Sequence, residues 1–351
     1  MVLKILVLLG TRPEAIKLSP VIMELQKNSG RFEVVVCSSG QHREMLAPVL
    51  DFFGVPVHYD LDLMRAEQSL FDLTARTLRG MADVFDRCRP DWLMVQGDTT
   101  TAFGGALAAF YHGVRVAHVE AGLRTFNKQA PFPEEMNRVL IARLADIHFA
   151  PTLLARDNLV REGIAADRIE VVGNTGIDAL KICLRAGDRF EGTDSSFNIE
   201  PGKRLIVVTG HRRESFGETF RGICRALKRI ASRGDVEIVY PVHLNPQVRK
   251  PVFDILKGVP SVHLVEPLPY PVFVRLLDRC HLVLTDSGGI QEEAPGLGKP
   301  VLVMRDVTER VEGIEAGTCR LVGVEESRIV RETERLLDDP EAYRQMAFAT
   351  N

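Results

Sequence analysis

Short apolar runs of strand length alternate along this chain with longer stretches that repeat apolar residues every three to four positions. In the first half the runs are Leu3–Leu9, Glu33–Ser38, Trp92–Gln96, Arg115–Val119, Ile147–Ala150 and Ile169–Val172. The helical patterns between them are Glu14–Lys27, Glu44–Phe53, Ser69–Arg87, Thr100–Tyr111, Glu134–Ala145 and Thr152–Glu162. Strands that are apolar on both faces and separated by helices predict a parallel, doubly wound sheet. The second half repeats the pattern, with strands at Arg204–Thr209, Glu237–Tyr240, Val262–Val265, His281–Leu284, Val301–Met304 and Arg320–Val322. Periodicity lapses from Gly187 to Gly202, which reads as a surface loop, and a domain boundary is expected just before it, near Gly173-Asn174-Thr175. The expectation is an α/β protein of two Rossmann-like domains, 1–172 and 173–351, facing each other across a cleft that receives the substrate.

Composition narrows the class. At 351 residues the chain exceeds one ordinary core, and 45% apolar with 26% charged residues is typical of a soluble globular protein. A formal charge of −3 supplies no basic field for nucleic acid or a membrane surface. Six dispersed cysteines without a CxxC pair point to reduced, buried thiols rather than zinc or redox chemistry. No apolar run reaches membrane-spanning length and no targeting segment is evident, so a cytoplasmic protein is expected.

The chemistry-bearing residues gather at the predicted strand ends. After the first strand, Gly10-Thr-Arg-Pro-Glu-Ala-Ile-Lys17 holds a capping box of Thr11 and Glu14, so Glu14 reads as a cap. Arg12 and Lys17 are not explained by capping. Cations near a helix N-terminus are electrostatically misplaced unless an anion binds there. The third strand ends in Gln96-Gly-Asp-Thr-Thr-Thr101, where Asp98 alone reads as a helix cap, and the fourth in His118-Val-Glu-Ala-Gly-Leu-Arg-Thr125. His118 reads as a core residue, whereas Glu120 and Arg124 are expected in a loop at the cleft. In Pro131-Phe-Pro-Glu-Glu-Met-Asn-Arg138, Glu134 and Arg138 lie four apart on one helical face. Asp98, Glu120 and Glu134 aimed at one cleft suggest proton transfer, since like charges raise one another's pKa toward the working range.

In the second half, Thr285-Asp-Ser-Gly-Gly289 follows a buried strand and opens a short helix with Ser287 as its expected N-cap. A glycine turn at a helix N-terminus suits a phosphate, and the carboxylates Glu292 and Glu293 one turn later suit ribose hydroxyls. His211 beside Arg212 and Arg213 in a glycine-bounded loop favours phosphate contact, and His243 stands in a similar loop. There is no GxGxxG after the first strand, no HxH or HExxH spacing and no carboxylate metal box, so neither NAD nor a metal is called for.

Together these stretches resemble the non-hydrolysing bacterial UDP-N-acetylglucosamine 2-epimerases. The resemblance is carried by GTRPEAIKLSP (10–20), GQHREML (40–46), QGDTTT (96–101), HVEAGLRT (118–125), PFPEEMNR (131–138), GNTGIDAL (173–180), TGHRRESFG (209–217), PVHLNP (241–246) and TDSGGIQEEAPGLGKPVLVMRDVTER (285–310). It implies the GT-B fold and reversible interconversion of UDP-N-acetylglucosamine and UDP-N-acetylmannosamine without NAD or metal. The implied chemistry removes the C2 proton with loss of UDP and re-adds both across a 2-acetamidoglucal. Carried onto this chain, the resemblance makes Asp98, Glu120, Glu134 and His211 catalytic, with base and acid unassigned. Ser287, Gly288 and Gly289 would hold the diphosphate, Glu293 the ribose, and Arg12, Lys17, Arg138 and Arg310 would complete substrate binding. The regulatory set would be Gln41, His42, Glu44, Arg212 and His243, around a second substrate molecule. The implied partners are the nucleotide sugar and UDP, with a homodimer as the assembly.

Two departures from the family pattern stand out. Members usually continue into an NPYGDG-like segment and a helix crossing back to the first domain, but this sequence stops at Asn351, so that helix is expected to be missing. Members activated by a second substrate molecule carry GQHRQM where this chain has Glu44 in place of the amide, and weak or absent substrate activation is therefore expected. Competing readings are a hydrolysing 2-epimerase releasing N-acetylmannosamine and UDP, a GT-B glycosyltransferase, and a nucleotide-sugar sensor without catalysis. Incubation with the donor sugar alone separates them.

Overall fold

The computed structural model describes residues 2–40, 43–65, 68–186, 199–212, 215–308 and 310–349, with the side chains of residues 43–45 excepted. The expected loop therefore lies largely outside the described residues. The chain divides into two compact units, Met1–Ala179 and Leu180–Asn351, so the division falls inside a helix a few residues beyond the expected boundary.

The first unit runs β1 (Leu3–Leu9), α1 (Arg12–Lys27), β2 (Phe32–Ser38), α2 (Arg43–Phe53), β3 (Tyr59–Asp60), α3 (Leu70–Cys88), β4 (Trp92–Gln96), α4 (Thr100–His112), β5 (Arg115–Val119), α5 (Glu134–Leu144), β6 (Ile147–Ala150), α6 (Leu153–Arg161), β7 (Ile169–Val171) and the start of α7 (Thr175–Arg185). Among the described residues its seven strands are ordered β3-β2-β1-β4-β5-β6-β7, and their pairings are parallel. The second unit continues with β8 (Arg204–Thr209), α8 (Glu218–Ala231), β9 (Val236–Pro241), α9 (Pro246–Leu256), β10 (Val262–Val265), α10 (Tyr270–Arg279), β11 (Leu282–Thr285), α11 (Gly288–Glu293), β12 (Val301–Val303), α12 (Val311–Glu315), β13 (Cys319–Leu321), α13 (Glu326–Asp338) and α14 (Pro340–Ala347). Its sheet order is β10-β9-β8-β11-β12-β13, again parallel. In each sheet the order reverses beside the first strand, between β1 and β4 and between β8 and β11. That is the switch point at which open α/β sheets bind ligands.

Only β3 was not expected, because a two-residue edge strand leaves no periodic signal. Each unit has its own core. Leu6, Leu8, Leu93 and Val95 pack with Met81, Phe85, Ala102 and Ala106 on one face of the first sheet. Ile206, Val208, Ile238 and Leu284 pack with Ile223, Leu227, Ile230 and Ile329 on one face of the second. All six cysteines are buried and unbridged, as expected from their spacing. No helix among the described residues is long and apolar enough to cross a membrane.

Two histidines set an acid limit on this fold. His118 and His148 are register partners on β5 and β6, and both are fully buried. Burial lowers the pKa of His118 to about 3 and of His148 to about 4, from an ordinary value of 6.5. Below pH 6.5 the unfolded chain therefore binds protons that the folded chain refuses, and stability falls with pH until the folded values are reached. The slope is at most about 1.4 kcal/mol per pH unit for each histidine. Buried Glu14 works in the opposite sense, because desolvation raises its pKa and the folded state protonates first. Chemical denaturation between pH 7 and 5 should show the midpoint falling, and a His148→Phe variant should fall less steeply. Equal slopes in the two proteins would refute the assignment.

Candidate active site

Within the first unit, the ends of β1, β4 and β5 are tied into one polar network. Gly10 closes β1 where a Cβ would come within 2.1 Å of the Ser39 hydroxyl, so a side chain there would force Ser39 to move. Thr11 caps α1, and Glu14 completes the capping box as expected. Glu14 is almost wholly buried, and its carboxylate accepts from Gly10 N at 2.9 Å, Thr11 N at 2.7 Å and Thr11 Oγ1 at 2.8 Å. It also accepts from Thr99 Oγ1 at 2.7 Å, which joins the β1 turn to the β4 turn.

The side chain that caps α4 is Thr99, which accepts from Ala102 N at 2.9 Å. The capping role read for Asp98 is thus filled by its neighbour, and the Asp98 carboxylate is turned to Arg138 Nη2 at 2.5 Å. Asn137 Nδ2 donates to the Asp98 carbonyl at 2.9 Å. Arg138 also lies 3.3 Å from Glu135. Arg138 does not pair with Glu134, although the two share a helical face. Glu134 is the first residue of α5, half-buried, and its side chain makes no hydrogen bond or ion pair among the described residues. A guanidinium one turn along the helix reaches Asp98 across the sheet in preference to its own helix neighbour.

Glu120 follows β5 with φ +62°, a left-handed conformation that costs a residue with a Cβ about 1–2 kcal/mol. Its Oε2 accepts from Gln96 Nε2 at 2.9 Å and from the Lys17 ammonium. Both side chains of the Lys17–Glu120 pair are nearly buried. Lys17 was expected to need a bound anion. The protein supplies the counter-charge itself, through a strand end that sequence spacing could not bring to α1. Asp98 and Glu120 thus each rest on a cation, so the mutual repulsion expected of clustered carboxylates is offset. Arg12 sits half-buried at the start of α1. Arg124 departs further from its reading: its side chain is fully buried in a two-pronged pair with Glu162, with both contacts at 2.7 Å. It anchors the loop instead of facing a ligand.

Within the second unit the β8 and β11 ends meet at Asp286, in the turn that opens α11. This carboxylate is buried, and its Oδ2 accepts from the backbone N–H of His211 at 2.7 Å and of Arg212 at 2.8 Å. Its Oδ1 stands 3.4 Å from His211 Nδ1. Burial lowers the His211 pKa, against the pull of Asp286 toward the charged form. The His211 ring stacks on exposed His243, with centroids 5.4 Å apart and planes 15° apart. The carboxylate therefore orders the very loop that carries His211 and Arg212. The sequence held one sign of this, an Asp opening a glycine turn, but not the loop it would bind.

Ser287 is the N-cap of α11 by position, yet its hydroxyl makes no capping bond, contrary to the expectation. Gly288 and Gly289 begin the helix itself, and a Cβ at Gly289 would meet open space. Glu293 is buried, and Glu292 is drawn to Arg310 Nε at 3.0 Å. Arg310 is thus engaged by the carboxylate rather than standing alone. Gln41 and His42 lie outside the described residues, as does the side chain of Glu44 in α2. Among the described residues no cluster of His, Cys, Asp or Glu is arranged to hold a metal.

Two polar strand-end networks, one in each sheet at its switch point, are the setting in which relatives become informative. The family model described as UDP-N-acetylglucosamine 2-epimerase matches residues 23–351. The chain belongs to this family. A UDP-N-acetylglucosamine 2-epimerase of Escherichia coli strain K12 is 50% identical over 358 residues, which is 99% of this chain and 94% of that protein. Its Campylobacter jejuni counterpart is 47% identical and is matched over 100% of this chain and 94% of its own length. Among solved structures, UDP-GlcNAc 2-epimerase from Neisseria meningitidis bound to UDP-GlcNAc has a TM-score of 0.95 at 45% identity, covering 99% of this chain and 95% of that one. The Methanocaldococcus jannaschii enzyme in complex with UDP-GlcNAc and UDP has a TM-score of 0.85 at 33% identity, covering 98% of each chain. A glycotransferase of kitacinnamycin shares only the fold, with a TM-score of 0.64 at 13% identity over 99% of this chain and 94% of that one.

For this member of the 2-epimerase family, the β11–α11 turn is the segment through which anion affinity is best tested. Ser287→Ala should weaken UDP binding by about 1–3 kcal/mol, the range for losing a hydrogen bond to a charged group. Calorimetry that finds UDP affinity unchanged in both Ser287→Ala and Glu293→Ala would remove the nucleotide from this turn.

Proposed function

We propose that this chain is a non-hydrolysing UDP-N-acetylglucosamine 2-epimerase that inverts C2 by eliminating UDP and adding it back to 2-acetamidoglucal. The observation that carries this reading is the pair of carboxylate–cation couples, Asp98 with Arg138 and Glu120 with Lys17, at the ends of the adjacent strands β4 and β5. Inversion at a carbon bearing a weakly acidic proton needs one group to remove it and another to return it to the opposite face. Asp98, Glu120 and Glu134 are the residues assigned to that exchange. A carboxylate held on a cation keeps its place while the proton moves, and the cation meets the charge that develops.

His211, Arg12 and Arg310 are assigned to the leaving diphosphate, the β11–α11 turn to its oxygens and Glu293 to the ribose. In this reading Asp286 holds the backbone of the segment from which His211 assists departure of UDP. The Neisseria 2-epimerase bound to UDP-GlcNAc and the Methanocaldococcus one in complex with UDP-GlcNAc and UDP support this assignment of substrate class. A homodimer in the cytoplasm is the proposed working form. Sedimentation of the purified protein at about twice its 39.1 kDa chain mass would support the dimer.

The test is incubation with UDP-N-acetylglucosamine alone in deuterated water. UDP-N-acetylmannosamine carrying deuterium at C2, together with exchange into recovered substrate, is the expected result. Retention of the original C2 hydrogen in epimerised product would exclude elimination. Free N-acetylmannosamine with stoichiometric UDP would make the protein a hydrolysing 2-epimerase instead.

A further inference from the structure

We propose that His118 is a positioning residue for this reaction, holding the turn that carries Asp98 at a fixed distance from the strand end that carries Glu120. The inference rests on the proposed function for its kinetic consequence, though not for its structural one. His118 is fully buried within β5, and its Nε2 donates to the Gly97 carbonyl at 2.7 Å. A carbonyl can only accept, so the proton is on Nε2. Gly97 N–H in turn donates to the Val119 carbonyl at 3.0 Å. Both polar groups of Gly97 are therefore bound to β5. Gly97 itself stands at φ +68°, a conformation open to glycine, so the turn would relax toward other shapes if released.

Asp98 is the next residue. Its carbonyl is held by Asn137 and its carboxylate by Arg138, both from α5. Two residues beyond His118, just past the end of β5, lies Glu120, itself in the left-handed region at φ +62°. One imidazole thus bridges the two segments whose carboxylates the reaction assigns to proton transfer. The other ring nitrogen, Nδ1, is buried without a hydrogen-bond partner, which leaves no path for His118 to relay a proton. A polar ring with an unmet nitrogen is a poor choice for packing alone, since an apolar residue would fill the space without that penalty. Its one bond, to Gly97, accounts for its presence.

Three variants separate positioning from packing. His118→Gln puts a donor where Nε2 lies, His118→Asn puts one where the unused Nδ1 lies, and His118→Phe fills the space with no donor. The phenylalanine and asparagine variants should lose kcat by about 10²-fold, the scale expected for a misplaced catalytic group, with KM and UDP affinity nearly unchanged. The glutamine variant should recover most of the rate. Amide hydrogen exchange of the peptide spanning 95–101 should quicken in the phenylalanine and asparagine variants and not in the glutamine one. Unchanged kcat in His118→Phe, equal activity of the Gln and Asn variants, or undisturbed exchange at 95–101 would each overturn the proposal. If His118→Phe does not fold, the Gln and Asn pair decides alone. A wild-type protein that leaves UDP-N-acetylglucosamine untouched would fail the proposed function, while the exchange experiment would still judge the tie between His118 and Gly97.

Discussion

Glu120→Gln and Asp98→Asn should each lower epimerisation turnover by about 10²–10⁴-fold, the usual contribution of a positioned general acid or base. Both substitutions keep shape and most hydrogen-bonding capacity but remove the ability to take up a proton. UDP is proposed to be held by the β11–α11 turn and the β8–α8 loop, so its affinity should change little. A fall in kcat and kcat/KM together, without a rise in UDP dissociation constant, is the signature of an interaction made in the transition state. The amides also leave Lys17 and Arg138 facing a neutral partner, so each variant needs a check of thermal stability before its rate is read. Turnover within a factor of three of wild type in either variant would remove that carboxylate from the chemistry.

The largest expected stability effect lies away from the chemistry, at Glu162. Arg124 has a fully buried side chain, and Glu162 meets it with two contacts of 2.7 Å. Glu162→Ala would leave a guanidinium buried with its paired carboxylate gone, its contact to the Leu123 carbonyl at 2.7 Å remaining. Removing one partner of such a pair costs about 3–5 kcal/mol. Glu162 keeps some exposure, so the lower end of that range is expected. Replacing Arg124 by Met in the same variant should recover part of the loss, because the stranded charge is then gone. Urea denaturation showing Glu162→Ala within about 1 kcal/mol of wild type would mean that water relieves the guanidinium.

The comparison of Arg124 with Lys17 shows where local reading of a chain stops. Both were read as cations at a ligand-facing strand end, and both are internally paired. Their partners lie 38 and 103 residues away in sequence, beyond the reach of any helical or strand spacing. Conversely, Glu14 was legible because its capping-box partner, Thr11, lies three residues away. Asp286 marks the same limit. Its place at a glycine turn was plain from sequence, but its two bonds to the His211 loop span 74 and 75 residues.

What the sequence determined by itself was the sheet architecture. Runs apolar on both faces, interrupted by amphipathic helices, leave parallel sheets with covered faces as the way to bury them, and twelve strands follow within a residue of the expected bounds. It also determined that chemistry-bearing residues crowd the carboxyl ends of those strands, because polar motifs such as Gly10–Lys17, Gln96–Thr101 and Thr285–Gly289 directly follow the apolar runs. Tertiary structure alone decided which side chain answers which. Strand order placed β4 and β5 side by side, so that His118 could reach Gly97 and Gln96 could reach Glu120, and α5 lay close enough for Arg138 to take Asp98. A charged or hydrogen-bonding group selects its partner by distance and burial, and distances between segments far apart in the chain are set only when the sheet closes.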